Sequence, residues 1–164
     1  FVHRTPFLRL NVLSTGQPLL STTLDGLTRI GLECHFIDDE PTLMWSKLVF
    51  LAPFALTTTA ADMPVGGVLQ DRVWRKLAES CVWEACAVAK AEKANVDASF
   101  VLAFAGKAPP SMKSSMQKDV EQGNPPELDA IAGPIIRRGD AHGIDVSATR
   151  KLVEAIVARA KASA

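Results

Sequence analysis

The sequence has no surplus of charge: 18 lysines and arginines stand against 18 acidic residues in a chain of 164. A general nucleic-acid binder needs a basic excess to displace counterions from the phosphates, so that class is excluded. The neighbouring pair Arg137 and Arg138 does not restore it. Nor does the sequence hold an uninterrupted apolar run of membrane length. The longest, Leu48 to Ala61, is broken by Pro53 and three threonines and falls short of the roughly 20 residues that span a bilayer. The chain therefore reads as soluble, with no membrane partner. A basic segment followed by a short apolar core is missing from the N-terminus, so no secretory signal is read and a cytoplasmic location is expected. The cysteines, Cys34, Cys81 and Cys86, are too few and too irregularly spaced for a disulfide framework, and fit buried thiols in a reducing compartment.

Familiar catalytic motifs are missing too. His3, His35 and His142 stand apart, outside any recognised zinc spacing, so no metal site is expected. Cys81 and Cys86 lie on one predicted helix but point in different directions, which argues against a redox pair. There is no Gly-x-Ser-x-Gly and no phosphate-cradling glycine loop, and Gly66 with Gly67 reads as a turn.

The positive signals begin with alternation. Leu8, Leu10 and Val12 alternate with Arg9 and Asn11, predicting a strand over about 8 to 13. Ser21 and Thr22 offer caps to a short helix with Leu24, Leu27 and Ile30 on one face, closed by Gly31. Residues 32–37 read as a second strand, and Asp38, Asp39 and Pro41 as a turn that opens a helix. One βαβ unit is too little for an independent parallel sheet, so it must belong to a larger sheet or lean on the residues C-terminal to it.

From Pro41 onward the pattern is helical. A helix to about Thr59 carries Trp45 and Lys47, with Pro53 removing a donor and bending it. The next, about 70–93, places Val73, Leu77, Cys81 and Val88 near one face. Shorter helices come next, over about 98–104 and from Ser114 to about Gln122. Another runs from Glu127 to about His142, whose imidazole suits the negative end of the helix dipole, and Gly143 ends it. A last helix is capped by Ser147 and carries Leu152, Ala155 and Ile156 inward. The tryptophans Trp45, Trp74 and Trp83 read as core or interface aromatics.

Three short motifs go beyond fold. Trp45-Ser46-Lys47-Leu48 lies early in a helix, Ser114-Ser115-Met116 is followed by Asp119, and Pro126-Glu127-Leu128-Asp129 opens a later helix. Together with Ile131-x-Gly133 and Ala141-His142-Gly143-Ile144 they resemble the C-terminal domain of the ketopantoate reductase family, over essentially the whole chain. The resemblance implies a mainly α fold: a helical C-terminal domain of the 6-phosphogluconate dehydrogenase C-terminal-like type, preceded by a short βαβ remnant of a Rossmann domain. Residues 1–40 would be the end of the nucleotide-binding domain and 41–164 the helical substrate-binding and dimerisation domain.

The same resemblance implies an NADPH-dependent reduction of a small 2-keto acid, ketopantoate to pantoate in pantothenate biosynthesis. Lys47 then matches the lysine that protonates the keto oxygen, Ser115 the serine that holds the substrate carboxylate, and Glu127 the acid beside cofactor and substrate. Hydride addition creates an alkoxide, and a nearby ammonium both stabilises it and supplies a proton. A carboxylate at Glu127 would orient Lys47 and keep it charged. Taken singly, Lys47 reads as a solvated lysine, Ser114 or Ser115 as a helix cap and Glu127 as a first-turn acid; their joint spacing carries the resemblance.

Two departures qualify these implications. Pantothenate-pathway members carry asparagines four and eight positions after the lysine and a third past that helix, where this sequence has Leu51, Ala55 and Val65. That wall is expected to be apolar and the substrate to be a different, more apolar 2-keto acid, because unpartnered buried polar groups cost roughly 1–3 kcal/mol. The second is that the Gly-x-Gly-x-x-Gly turn that receives a pyrophosphate is not in this sequence. The chain, beginning at Phe1, is expected to be the C-terminal portion of a reductase, with NADPH bound mainly by residues outside it. The rival expectation is a non-catalytic helical interaction or dimerisation module, and a homodimer is compatible with either.

Overall fold

The computed structural model describes residues 9–13 and 18–162. Strand β1 (Arg9–Leu13), helix α1 (Pro18–Arg29) and strand β2 (Glu33–Ile37) form the βαβ unit expected of the first forty residues. The two strands pair in parallel, with Arg9 opposite Glu33 and Leu13 opposite Ile37. Leu8 lies outside the described residues. Helix α1 starts earlier than the caps at Ser21 and Thr22 suggested, since both lie inside it. Its first residue is Pro18, at the one helical position where a missing amide hydrogen costs nothing. Gly31, at φ 93°, takes the left-handed conformation that lets the chain turn out of α1.

The remainder is helical, as the resemblance implied. Helix α2 (Glu40–Ala61) opens where Asp39 accepts the Thr42 amide at 3.2 Å, with Pro41 in the first turn. It buries Trp45, Val49, Ala52, Leu56 and Thr59, a three- and four-residue stripe, but also Ala55, Thr57 and Thr58 beside it. That breadth reflects its place: α2 packs against α4, α9, α6, α3, α7 and α5. By length and composition α2 could cross a membrane, yet half of its most apolar stretch is buried in this bundle. A helix surrounded by partners is hydrophobic nearly all round.

After α2 two expectations are corrected. Gly66 and Gly67 do not form a turn but lie within a short helix, α3 (Val65–Gln70). Its first amides are satisfied from a distance: Val65 N–H donates to the Met112 carbonyl and Gly66 N–H to that of Pro110, both at 2.9 Å. A Cβ on Gly66 would stand 2.8 Å from Pro110, so glycine is what lets this loop lie on α3. The long helix expected over 70–93 is α4 (Arg72–Ala91), separated from α3 at Asp71. That side chain accepts the amides of Val73 and Trp74 at 2.8 and 3.0 Å, which starts a new helix rather than continuing the old one. Val73 is therefore exposed, not inward.

Helices α5 (Ala98–Ala105) and α6 (Ser115–Glu121) stand where expected. The helix expected from Glu127 to His142 is two: α7 (Leu128–Ile131) and α8 (Gly133–His142). Pro134 has no amide to donate to the Ala130 carbonyl, so the ladder breaks there. Gly143, at φ 65°, ends α8. Helix α9 (Ser147–Ala162) is not capped by Ser147 itself. Asp145 accepts the Ser147 amide at 3.0 Å, and Glu84 of α4 accepts those of Ala148 and Thr149 at 2.7 and 2.8 Å. Leu56, Cys81, Val88, Ile135, Leu152 and Ile156 meet in one core, each with at most 1% of its surface exposed. Trp45 joins that core, whereas Trp83 is exposed.

Candidate functional site

Lys47 sits two turns into α2 on its exposed side. Among the described residues it makes no hydrogen bond or ion pair, so its ammonium is uncommitted. It borders two clefts. One, of about 690 Å3, runs towards α8 between Met44, Leu48, Leu51, Pro134, Arg137 and Arg138. The other, of about 720 Å3, runs towards α5 and β1 between Asn11, Phe50, Leu51, Asp97, Phe100 and Phe104. In the first, the guanidinium of Arg137 pairs with Asp129, and Glu92 pairs with Arg138 at 3.3 Å and His142 at 2.6 Å. His142 does lie in the last turn of α8, but a carboxylate from the end of α4 holds it.

The two serines divide their work. Ser114 is buried and caps α6: it accepts the Gln117 amide at 3.1 Å and shares a 2.9 Å hydrogen bond with Thr58 of α2. Ser115 is the first residue of α6, and its exposed hydroxyl has no partner among the described residues. Glu127 precedes α7; its carboxylate is exposed and makes no capping bond. Helix α2 packs against both α6 and α7, so one helix carries Lys47 and supports the elements bearing Ser115 and Glu127. No hydrogen bond or ion pair joins the three residues, and neither Ser115 nor Glu127 borders the two clefts beside Lys47.

The three positions expected to form one apolar wall separate. Leu51 borders both Lys47 clefts, Ala55 is buried in the core with 1% of its surface exposed, and Val65 borders a third cavity of about 360 Å3. That cavity lies among α2, α3, α4 and α5 and is lined chiefly by Phe54, Val65, Val68, Val82, Leu102 and Met112. Sequence reading does not find it. The only local signal is the row of Phe50, Phe54 and Thr57 along α2, and what faces that row is decided by residues of α3, α4 and α5 and by Met112, far along the chain.

The described residues contain no cluster of histidines, cysteines and acids able to hold a metal ion. They also supply no dinucleotide cradle, since the βαβ unit lacks the glycine fingerprint that lets a backbone approach a pyrophosphate. The two buried thiols are chemically quiet: burial pushes Cys81 up to about 12, against its hydrogen bond with Thr149 and assisted by the nearby Glu84 charge, and burial pushes Cys86 up to about 11.

Comparison with known proteins agrees with this architecture. The sequence pattern of the ketopantoate reductase PanE/ApbA C-terminal family matches residues 41–160. A 2-dehydropantoate 2-reductase of Caulobacter vibrioides is 33% identical over 132 residues, 79% of this chain and 45% of that protein. The chain thus spans about half the length of the curated relative it matches. Among solved structures, a ketopantoate reductase from Ralstonia eutropha superposes with a TM-score of 0.81 at 23% identity, over 97% of this chain and 53% of the other. A dimeric ketopantoate reductase from Staphylococcus aureus gives 0.78 at 20% identity, over 95% and 55%. A D-mandelate dehydrogenase in complex with NADH gives 0.80 at 21% identity, over 94% and 55%. These likenesses below 25% identity bear on the fold, and it is the pattern over 41–160 together with the Caulobacter relative that decides the family: this chain belongs to the ketopantoate reductases, as their C-terminal domain.

Proposed function

We propose that this chain is the substrate-binding part of an NADPH-dependent 2-keto acid reductase in which Lys47 is the proton donor. The observation that carries the reading is the Lys47 ammonium, free of any carboxylate among the described residues and bordering two clefts. Reduced nicotinamide, held mainly by residues outside this chain, supplies the hydride. The residues of this chain handle charge. As the carbonyl carbon becomes tetrahedral its oxygen acquires a full negative charge, and an ammonium beside it stabilises that charge and releases a proton to it. Ser115, whose hydroxyl is uncommitted, is assigned to the substrate carboxylate. Glu127, whose carboxylate is likewise uncommitted, is assigned to the cofactor and substrate side.

The test is oxidation of NADPH by the natural full-length protein with a panel of 2-keto acids including ketopantoate. Turnover of at least one 2-keto acid is expected, and failure to reduce any of them overturns the reading.

A second reading has its own support. Phe100 and Phe104 are 69% and 52% exposed and stacked on each other, beside Phe50. Exposed aromatic pairs of this kind favour association, and the Staphylococcus neighbour is dimeric. Association of this surface with a second copy is the alternative role, and sedimentation of the full-length protein tests it: a concentration-independent monomer excludes it.

A further inference from the structure

The apolar cavity beside α2 has no role in the reading above, and its walls are informative. Each polar side chain on them already has a partner within the fold. Thr57 donates its hydroxyl to the Pro53 carbonyl at 2.7 Å, Thr58 bonds with Ser114, and Arg75 pairs with Glu79 at 2.9 Å. Apart from the exposed Arg75–Glu79 pair the walls are apolar, so the cavity favours an apolar ligand tail over a hydroxyl. A volume of about 360 Å3 is within the range of small-molecule pockets and large enough for a phenyl ring with its linker.

The cavity also adjoins the cleft beside Lys47. Phe50 and Val101 line both it and the cleft towards α5, so the two spaces share a wall. The ring of Phe50 stands edge-on to Phe104, with centroids 5.1 Å apart. Along α2, Lys47, Phe50, Phe54 and Thr57 recur at three- and four-residue steps, forming one row from the amine into the cavity. At 1.5 Å per residue, Phe54 lies about 10 Å along the axis from Lys47. A ligand with its keto group at the amine and its tail in the cavity must bridge that interval.

We infer that this cavity is the side-chain pocket of the reductase site, and that its substrates are 2-oxo acids bearing a bulky apolar tail, aryl-alkyl or long and branched, with Phe50 as the partition the tail passes. The inference rests on the proposed reductase reading. The reaction is unchanged: hydride goes to the carbonyl carbon, a proton goes to its oxygen, and the tail only positions the group.

Two measurements on the natural full-length protein separate the pocket from the chemistry. The first compares kcat/KM for 2-oxo-4-phenylbutanoate and pyruvate in the parent protein and in Ala78→Leu and Ala105→Leu, two cavity-filling changes on opposite walls, each checked for an unchanged melting transition. The ratio is expected to exceed ten in the parent and to fall at least tenfold in both variants. A ratio near one, or one that survives both changes, overturns the inference. The second is calorimetric binding of 4-phenylbutanoate, which cannot be reduced, to the NADPH-loaded protein. Binding that weakens at least tenfold in both variants supports the pocket, and equal or undetectable binding overturns it. Pocket-dependent binding with no reduction of any 2-oxo acid overturns the reductase reading alone.

Discussion

The carboxylate of Glu84, in the middle of α4, accepts both the amide and the hydroxyl of Thr149, at 2.8 and 2.7 Å, at the start of α9. The same carboxylate takes the Ala148 amide. Free amides at a helix start carry partial positive charge, so an acid from a neighbouring helix caps α9 and ties it to α4 at once. Glu84→Ala is expected to cost about 2–4 kcal/mol in urea denaturation, because bonds to a charged group contribute more than neutral ones. Glu84→Gln should cost less, since an amide oxygen still accepts. A loss no larger than the roughly 0.5 kcal/mol of an ordinary surface change would remove Glu84 from this role.

Ser114 and Ser115 should separate in their effects. Ser114→Ala removes a cap and a buried partner of Thr58, and is expected to lower stability by about 1–2 kcal/mol. Ser115→Ala alters an exposed hydroxyl and should change stability by less than about 0.5 kcal/mol. Its effect belongs in KM for the 2-keto acid, raised about tenfold for one lost bond to a carboxylate. Equal stability losses from the two, or a KM effect from Ser114→Ala alone, would reverse the assignment.

The features legible in the sequence were local. Asp39 and Pro41 mark the start of α2, and alternation marks the first strand, because the responsible atoms lie within a few residues of one another. The misread features are tertiary. The Gly66-Gly67 pair has turn chemistry, but carbonyls of Pro110 and Met112, more than forty residues on, satisfy amides that a turn would leave to water. Glu84 looks like any solvated helix acid, and only the packing of α9 on α4 turns it into a cap. The candidate site divides in the same way. The Lys47 position is set by the start of α2, whereas the cavity is enclosed by four helices whose facing residues no local spacing specifies.

The buried thiols give a pH dependence with a definite sign. Cys81, pushed from 9.0 to about 12 by burial, keeps its proton in the fold and loses it on unfolding over that window. Between about pH 9 and 12 the unfolded state then binds fewer protons than the native state. Stability contributed by this thiol is complete below pH 9 and declines above it, by about 1.4 kcal/mol per pH unit at most. Cys81→Ala should flatten the fall of stability with pH above 9, as measured by urea midpoints. Labelling of Cys81 and Cys86 by a thiol reagent at pH 8 should require unfolding. Rapid labelling of either in the native protein would contradict their burial.

Lys47→Ala in the full-length protein is expected to lower kcat by about 10²–10⁴-fold, the usual contribution of a positioned acid. The side chain is exposed and unbonded, so the melting transition should stay in place. Lys47→Arg keeps the charge but not a releasable proton, because a guanidinium holds its proton in proteins. It should recover substrate binding without recovering kcat. Full turnover in Lys47→Ala would take Lys47 out of the mechanism.

Restoring asparagines tests why this chain departs from the pantothenate-pathway pattern. Leu51 is half-buried and borders both Lys47 clefts, so an amide there meets cleft space. Leu51→Asn should raise kcat/KM for ketopantoate relative to pyruvate about tenfold, the equivalent of one good hydrogen bond. Ala55 has no such freedom: with 1% of its surface exposed in the α2 core, a larger and polar side chain must displace packed neighbours and find a partner. Ala55→Asn is therefore expected to destabilise the protein by about 2–4 kcal/mol and to leave the ketopantoate preference where it was. If Ala55→Asn instead improves ketopantoate turnover without loss of stability, position 55 faces substrate, and the apolar core drawn around it is wrong.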